Sequence, residues 1–249
     1  MKRSILLAIA ICLAISAYPL RASVITLPPV RDGTLYQDDT GETANGSGLH
    51  LFAGATEFGN IRRAVMAFDV AGNLPAGSTI NSVSLTMNMS RCGPTCGTPV
   101  TMGLHDLLAD WGEGTSVAEG QEGIPAQAET NDATWIYNFY ADSVWANPGG
   151  DFNPAISASQ IISGVGSYTW ATTPQMVADV QSWLNSPITN YGWLMQGGED
   201  IATTAKRFDS RESSHAPQLT INYSVPEPST ILFVSAGMIA IARFRRRPK

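Results

Sequence analysis

Residues 82–90 alternate without a break: Val83, Leu85, Met87 and Met89 fall on one side, and Ser82, Ser84, Thr86, Asn88 and Ser90 on the other. A side-chain period of two marks a strand that buries one face and wets the other. Such a strand needs neighbours in a sheet and a cover over its apolar face, which commits the chain to β-structure around a core. Residues 63–70 behave alike, with Ala64, Met66, Phe68 and Val70 opposite Arg63 and Asp69. The turn sequence Asn73-Leu74-Pro75-Ala76-Gly77 lies between the two runs. Further short apolar runs at 100–104, 135–140, 167–170, 191–195, 207–210 and 219–223 are punctuated by Gly, Pro, Asn and Asp. The pattern predicts an all-β fold, a β-sandwich or jelly roll, without an internal repeat. One helix interrupts it. Thr173-Pro174 is an N-cap followed by a proline suited to the first turn; Met176, Val177, Val180, Trp183 and Leu184 recur at helical spacing, and Asn185-Ser186-Pro187 stops them. Residues 112–133 are rich in Gly and Glu without apolar periodicity and read as a long acidic loop.

The two ends are of a different kind. Lys2 and Arg3 precede an apolar run over 5–17, and small residues follow at Ser16-Ala17 and Ala22-Ser23. This is the pattern of a secretory signal helix over 1–22, with cleavage after Ala17 or after Ala22. At the other end, 225–249 read Val-Pro-Glu-Pro-Ser-Thr, then an apolar run over 231–242, then Arg243, Arg245, Arg246, Arg247 and Lys249. Twelve helical residues span about 18 Å, short of the ~30 Å hydrocarbon core, so this transmembrane helix is a poor permanent anchor. The basic cluster keeps its end cytoplasmic and places 23–224 outside. Pro226-Glu227-Pro228, the short apolar run and the terminal Arg245, Arg246 and Arg247 together resemble the PEP-CTERM sorting tail of Gram-negative bacteria. The resemblance implies export across the inner membrane, transient anchoring and cutting near 226–228 by an exosortase. Release to the cell surface or extracellular matrix of a biofilm would follow.

Export fits the cysteines. With Cys12 lost in the signal, Cys92 and Cys96 remain, separated by Gly93-Pro94-Thr95, and an oxidising compartment favours a local disulfide.

Residues 23–224 carry 7 basic and 20 acidic residues, a net of −13. Nucleic acid is excluded as a partner, because neutralising phosphates needs a basic face. A polyanionic glycan would need arginines or bridging calcium to screen that charge.

The run Arg62-Arg63-Ala64-Val65-Met66-Ala67-Phe68-Asp69, the Pro75-Ala76-Gly77 turn and the alternating strand after it resemble the DNRLRE domain. Asn45-Gly46-Ser47-Gly48, Trp111-Gly112-Glu113-Gly114-Thr115, Pro148-Gly149-Gly150-Asp151-Phe152 and Phe208-Asp209-Ser210-Arg211-Glu212 continue the resemblance in order. It implies a β-sandwich of secreted and surface proteins, some of whose relatives are carbohydrate-binding modules.

No nucleophile elbow, zinc-protease helix or phosphate loop occurs. His50, His105 and His215 stand in separate segments. Asp110 and Glu113 beside Trp111 are the candidate carboxylate pair for glycoside hydrolysis. For sugar binding, flat rings with polar neighbours are needed, and Trp111, Tyr140 and Trp145, with Arg211 as carboxylate partner, are the candidates. Asp38, Asp39 and Glu42 form the densest acidic turn and are the candidate ligands of a structural calcium, with Asp132 and Asp151 as further donors. Arg62, Arg63, Lys206, Arg207 and Arg211 would either pair with acids such as Asp69 and Asp209 or clamp a uronate. The expectation is a non-catalytic module in contact with extracellular polysaccharide. A polysaccharide-degrading enzyme and a self-associating matrix protein are the alternatives.

Overall fold

The computed structural model describes residues 21–94 and 96–225. The strands, in chain order, are β1 (Arg21–Leu27), β2 (Arg31–Tyr36), β3 (Thr43–Ala44), β4 (His50–Ala55), β5 (Ile61–Ala67), β6 (Thr79–Cys92), β7 (Val100–Leu107), β8 (Ala126–Gln127), β9 (Tyr137–Phe139), β10 (Ser143–Val144), β11 (Phe152–Ile162), β12 (Gly166–Trp170), β13 (Trp193–Gln196), β14 (Lys206–Asp209) and β15 (Gln218–Val225). The helix α1 covers Pro174–Asn185. The expected flanking helices lie outside the described residues. Among the described residues no helix is long and apolar enough to cross a membrane.

The fold is mostly β with one short helix, as expected, and its main strands form one continuous curled sheet. Eleven strands run in the order β1-β15-β6-β14-β4-β5-β13-β7-β11, with β12 on β6 and β2 on β5. Every pairing is antiparallel, and the sheet curls on itself as a half-barrel. The two walls are continuous because β4 belongs to both: residues 50–53 pair with β14, while Gly54 and Ala55 pair with β5. The corner falls at Gly54, whose φ is 111°. A β-carbon there would also meet the Ala205 backbone at 2.9 Å, so only glycine turns this corner without strain.

The alternating run becomes the 14-residue β6, longer at both ends than the sequence suggests. Its Val83, Leu85, Met87 and Met89 face the core with Met66, Phe68, Leu104, Trp170, Trp193, Met195 and Phe208. The wall β5-β13-β7 is covered on its other face too. There Leu35, Val65, Leu107 and Leu194 pack against Trp111, Trp135 and Trp145 from the long connection between β7 and β11. Of the expected strand over 135–140, only Tyr137–Phe139 forms, paired with β10 outside the main sheet.

Helix α1 starts as its sequence dictates. The Thr173 hydroxyl accepts from the Met176 amide at 3.0 Å, and Pro174 fills the first turn. Its buried face carries Met176, Val180, Trp183 and Leu184, and Trp183 meets Trp193 at 4.5 Å between ring centroids. Asp179 accepts from Trp193 Nε1 at 2.9 Å, and Asp106 accepts from Trp183 Nε1 at 3.0 Å. Burial, then the nearby Asp179 charge, push the Asp106 carboxyl up from its ordinary 3.8 to about 6. The folded state therefore holds a proton between pH ~4 and ~6 that the unfolded chain releases, so this group's contribution to stability falls as pH rises through that window. Asp106→Asn keeps the acceptor for Trp183 and removes the charge. Discounted for partial exposure, it should stabilise the fold by about 1–2 kcal/mol at pH 7 and flatten the melting temperature between pH 4 and 6. Thermal melts of both proteins across this range check it; parallel curves would refute the assignment.

Candidate functional site

Three of the sequence motifs singled out above, 45–48, 111–115 and 208–212, converge, and their work is structural. The Ser47 hydroxyl donates to the Gly114 carbonyl at 3.0 Å, and the Ser210 hydroxyl to the Gly48 carbonyl at 2.7 Å. Arg211 grips both oxygens of Glu113 at 2.7 and 2.6 Å and reaches Glu212 at 2.9 Å. A β-carbon on Gly46 would lie 1.8 Å from the Glu113 carbonyl oxygen, so the two segments meet only at glycine. The 148–152 motif closes its own loop: Asp151 accepts from the Ala146 and Asn147 amides, and the Gly149 carbonyl accepts from Arg63 at 2.7 Å. The network fastens the long connection onto one end of the sheet.

Most of the expected sugar-binding residues are engaged in this packing. Trp111 is fully buried, donates to the Tyr191 carbonyl at 2.9 Å and lies under the Arg31 guanidinium. Trp145 is buried and donates to the Thr134 carbonyl at 2.9 Å. Neither ring has a free face for a sugar, which corrects both assignments. The reason is the second apolar layer over β5-β13-β7, which needs large rings. Tyr140 is half-buried, edge-on to Tyr137 at 5.3 Å. Arg211 is held by Glu113 and Glu212, so it is a bolt of the network rather than a free clamp.

The candidate carboxylate pair is likewise occupied. Asp110 pairs with Arg31 at 2.6 Å and accepts from the Trp111 amide; Glu113 accepts from Arg211 and the Asp32 amide. Asp38, an expected calcium ligand, closes its own turn. It accepts from the Thr40 and Gly41 amides and the Thr43 hydroxyl, and these bonds hold its carboxyl below the ordinary value against the opposing effect of burial. Among the described residues no group of three or more His, Cys, Asp or Glu is placed to hold a metal ion. His50 and His215 both approach Asp209, at 3.4 and 3.6 Å, and His105 bonds the Asn153 carbonyl.

Lys206 is buried, and the arginines with described side chains divide into two groups. Arg31, Arg63 and Arg211 form ion pairs; Arg63 takes both oxygens of Glu199 at 2.8 Å while covering Trp135 and Phe152. Arg62, Arg91 and Arg207 make no ion pair among the described residues. These three line one groove of about 400 Å³. Strand register brings them there: Arg207 stands opposite Arg91 on β6 and opposite Phe52 on β4, and Arg62 faces Gly54. Arg62 is buried against the Tyr36 ring at 4.6 Å and donates to the Ile61 carbonyl. Burial pushes its guanidinium below the ordinary value; burial, then the Arg91 charge, does the same for Arg207.

Arg91 and Arg207 converge on one neutral acceptor, the Gln121 amide oxygen, at 2.7 and 2.8 Å. Gln121 is placed by its neighbour: the Glu122 carboxylate accepts from the Leu49 and His50 amides and from Asn45, which pins the acidic loop over β4. The Phe52 ring lines the groove, and the Cys92–Cys96 disulfide borders it. A second hollow of about 430 Å³ shares Arg62, Glu57 and Gly123 with the first and is lined by Phe58 and Ile124, which are 83% and 82% exposed. None of Trp111, Tyr140, Trp145 and Arg211 lines either hollow. Sequence reasoning flagged Arg62 and Arg207 but missed Arg91, Gln121 and Phe52. The available signal was the place of Arg91, beside the first cysteine at the end of the alternating strand.

Folded β-domain and terminal tail define an exported protein, and the comparison with known families gives the tail its name. Residues 224–247 match the PEP-CTERM protein-sorting motif. The chain thus carries a PEP-CTERM sorting motif behind a β-rich body, and that motif marks exported proteins processed by exosortase at the cell surface. No curated protein matches the chain.

Proposed function

We propose that the β-domain is a non-catalytic module that holds an acidic extracellular polysaccharide in the Arg62–Arg91–Arg207 groove. The observation that carries this is the convergence of Arg91 and Arg207, directly opposed across two strands, on a neutral amide oxygen. Like charges at a cross-strand pair destabilise a sheet; Asp209 and Glu122 offset the Arg207 charge only at longer range, and among the described residues no carboxylate pairs with either guanidinium to relieve them. An anionic group would. A carboxylate or sulfate of a sugar accepts fork-like bonds from guanidinium groups, while Phe52 and the exposed Phe58 offer rings to the apolar faces of neighbouring sugars. The net −13 of the body sets the field at a distance, but the groove fixes it locally. The family resemblance to secreted carbohydrate-binding domains points the same way.

The test is binding of the mature chain to neutral and acidic bacterial polysaccharides, with polymer length measured before and after. Saturable, salt-sensitive binding to acidic polymers at constant length is expected. Shortened polymer would establish an enzyme instead. Absence of binding to every polymer would sink the proposal and leave self-association, for which the uncharged Val24-Ile25-Thr26 of β1, paired on one side only, offers an edge.

A further inference from the structure

The groove and the last described residues before the sorting tail lie at opposite ends of one strand. At the start of β6, Thr79 pairs with Ser224 of β15, next to the last described residue, Val225. At the other end, Arg91 pairs with Arg207 in the groove. Twelve residue steps separate Thr79 from Arg91, about 40 Å along the strand. The tail follows the sheet directly: five residues, 226–230, separate Val225 from the apolar run that begins at Ile231, and even fully extended they reach about 20 Å. Pro226 and Pro228 restrict that connection further, and the net −13 of the body repels an anionic bilayer.

We infer that the chain works before processing as well as after it, as a tether that grips polysaccharide at its distal end while the tail is still in the membrane. Exosortase cutting then releases a loaded domain rather than switching binding on. The inference rests on the proposed polysaccharide site, and its test separates the two.

The full chain is reconstituted without exosortase in phosphatidylethanolamine–phosphatidylglycerol vesicles, and its affinity for an acidic polysaccharide is compared with that of the released chain. Flotation of the polymer with the vesicles, at an affinity within about twofold of the released chain, is expected. Binding by the released chain with a loss of tenfold or more on the vesicle would overturn the tether and leave the site standing. Absence of binding in both forms would overturn both. An independent readout uses dyes at Glu57→Cys beside the groove and Asn81→Cys, whose native amide donates to the Ser224 hydroxyl at 2.8 Å. Lipid-borne quencher should dim the dye at 81 and spare the dye at 57. Equal quenching at both places would contradict the geometry.

Discussion

The double variant Arg91→Ala/Arg207→Ala is expected to lose acidic-polysaccharide binding by about two orders of magnitude with little change in thermal stability. Each guanidinium should contribute about 1.5–3 kcal/mol through charge-assisted bonds to an anionic sugar, so two lost forks amount to at least ~3 kcal/mol, roughly 100-fold. Among the described residues neither side chain belongs to an ion pair; their bonds to Gln121 are lost, but so is their mutual repulsion across the strands. Stability should therefore hold or rise slightly, the usual sign of a site kept for function at a cost to folding. Titration calorimetry and a melt on the same sample check both halves. Arg62 is a poorer test, since its guanidinium is buried on Tyr36 and its loss would disturb the core. Undiminished binding by the double variant would remove the groove from consideration.

Arg211→Ala should do the reverse. Arg211 stands among Glu113, Glu212 and Asp32; it bonds the first two by its side chain and Asp32 by its backbone amide at 2.8 Å. Burial holds the Asp32 carboxyl well above its ordinary value and raises Glu212, so this site already strains to keep carboxylates charged. Removing the cation leaves Glu113 and Glu212 facing each other without a counter-charge, at a cost of about 2–3 kcal/mol once the partial exposure of Arg211 is discounted. The melting temperature should drop by ~10 °C, while affinity for the acidic polymer, measured below the new transition, should stay unchanged. A large fall in affinity without loss of stability would restore Arg211 as a ligand clamp.

What the sequence made legible follows from periodicity and end signals. Residues 82–90 announced β6, Thr173-Pro174 announced α1, and Pro226-Glu227-Pro228 with the terminal arginines announced the sorting tail. Strands β2 and β4 were not visible because Asp32-Gly33 and Ala53-Gly54 break alternation where the chain meets close neighbours and turns the corner of the sheet. Strand β11 was hidden by Pro154, tolerated because this edge strand pairs on one side only and breaks register near the proline. The tryptophans misled for a related reason. Trp111 and Trp145 look like sugar platforms amid polar sequence, yet they cover a sheet wall that is apolar on both faces, and no local pattern reveals a second layer. The groove depends on register between strands separated by more than a hundred residues, Arg91 against Arg207, which no single-chain periodicity encodes.

The most direct measurement is titration of the mature chain with one acidic bacterial polysaccharide and with the same polymer after its carboxyl groups have been reduced to alcohols. Chain length, sugar rings and hydroxyls are then constant, and only the anionic group that the paired arginines would take is removed. Saturable binding to the acidic polymer that vanishes on reduction is predicted. Equal binding to both polymers, or to neither, would contradict the anion-holding groove.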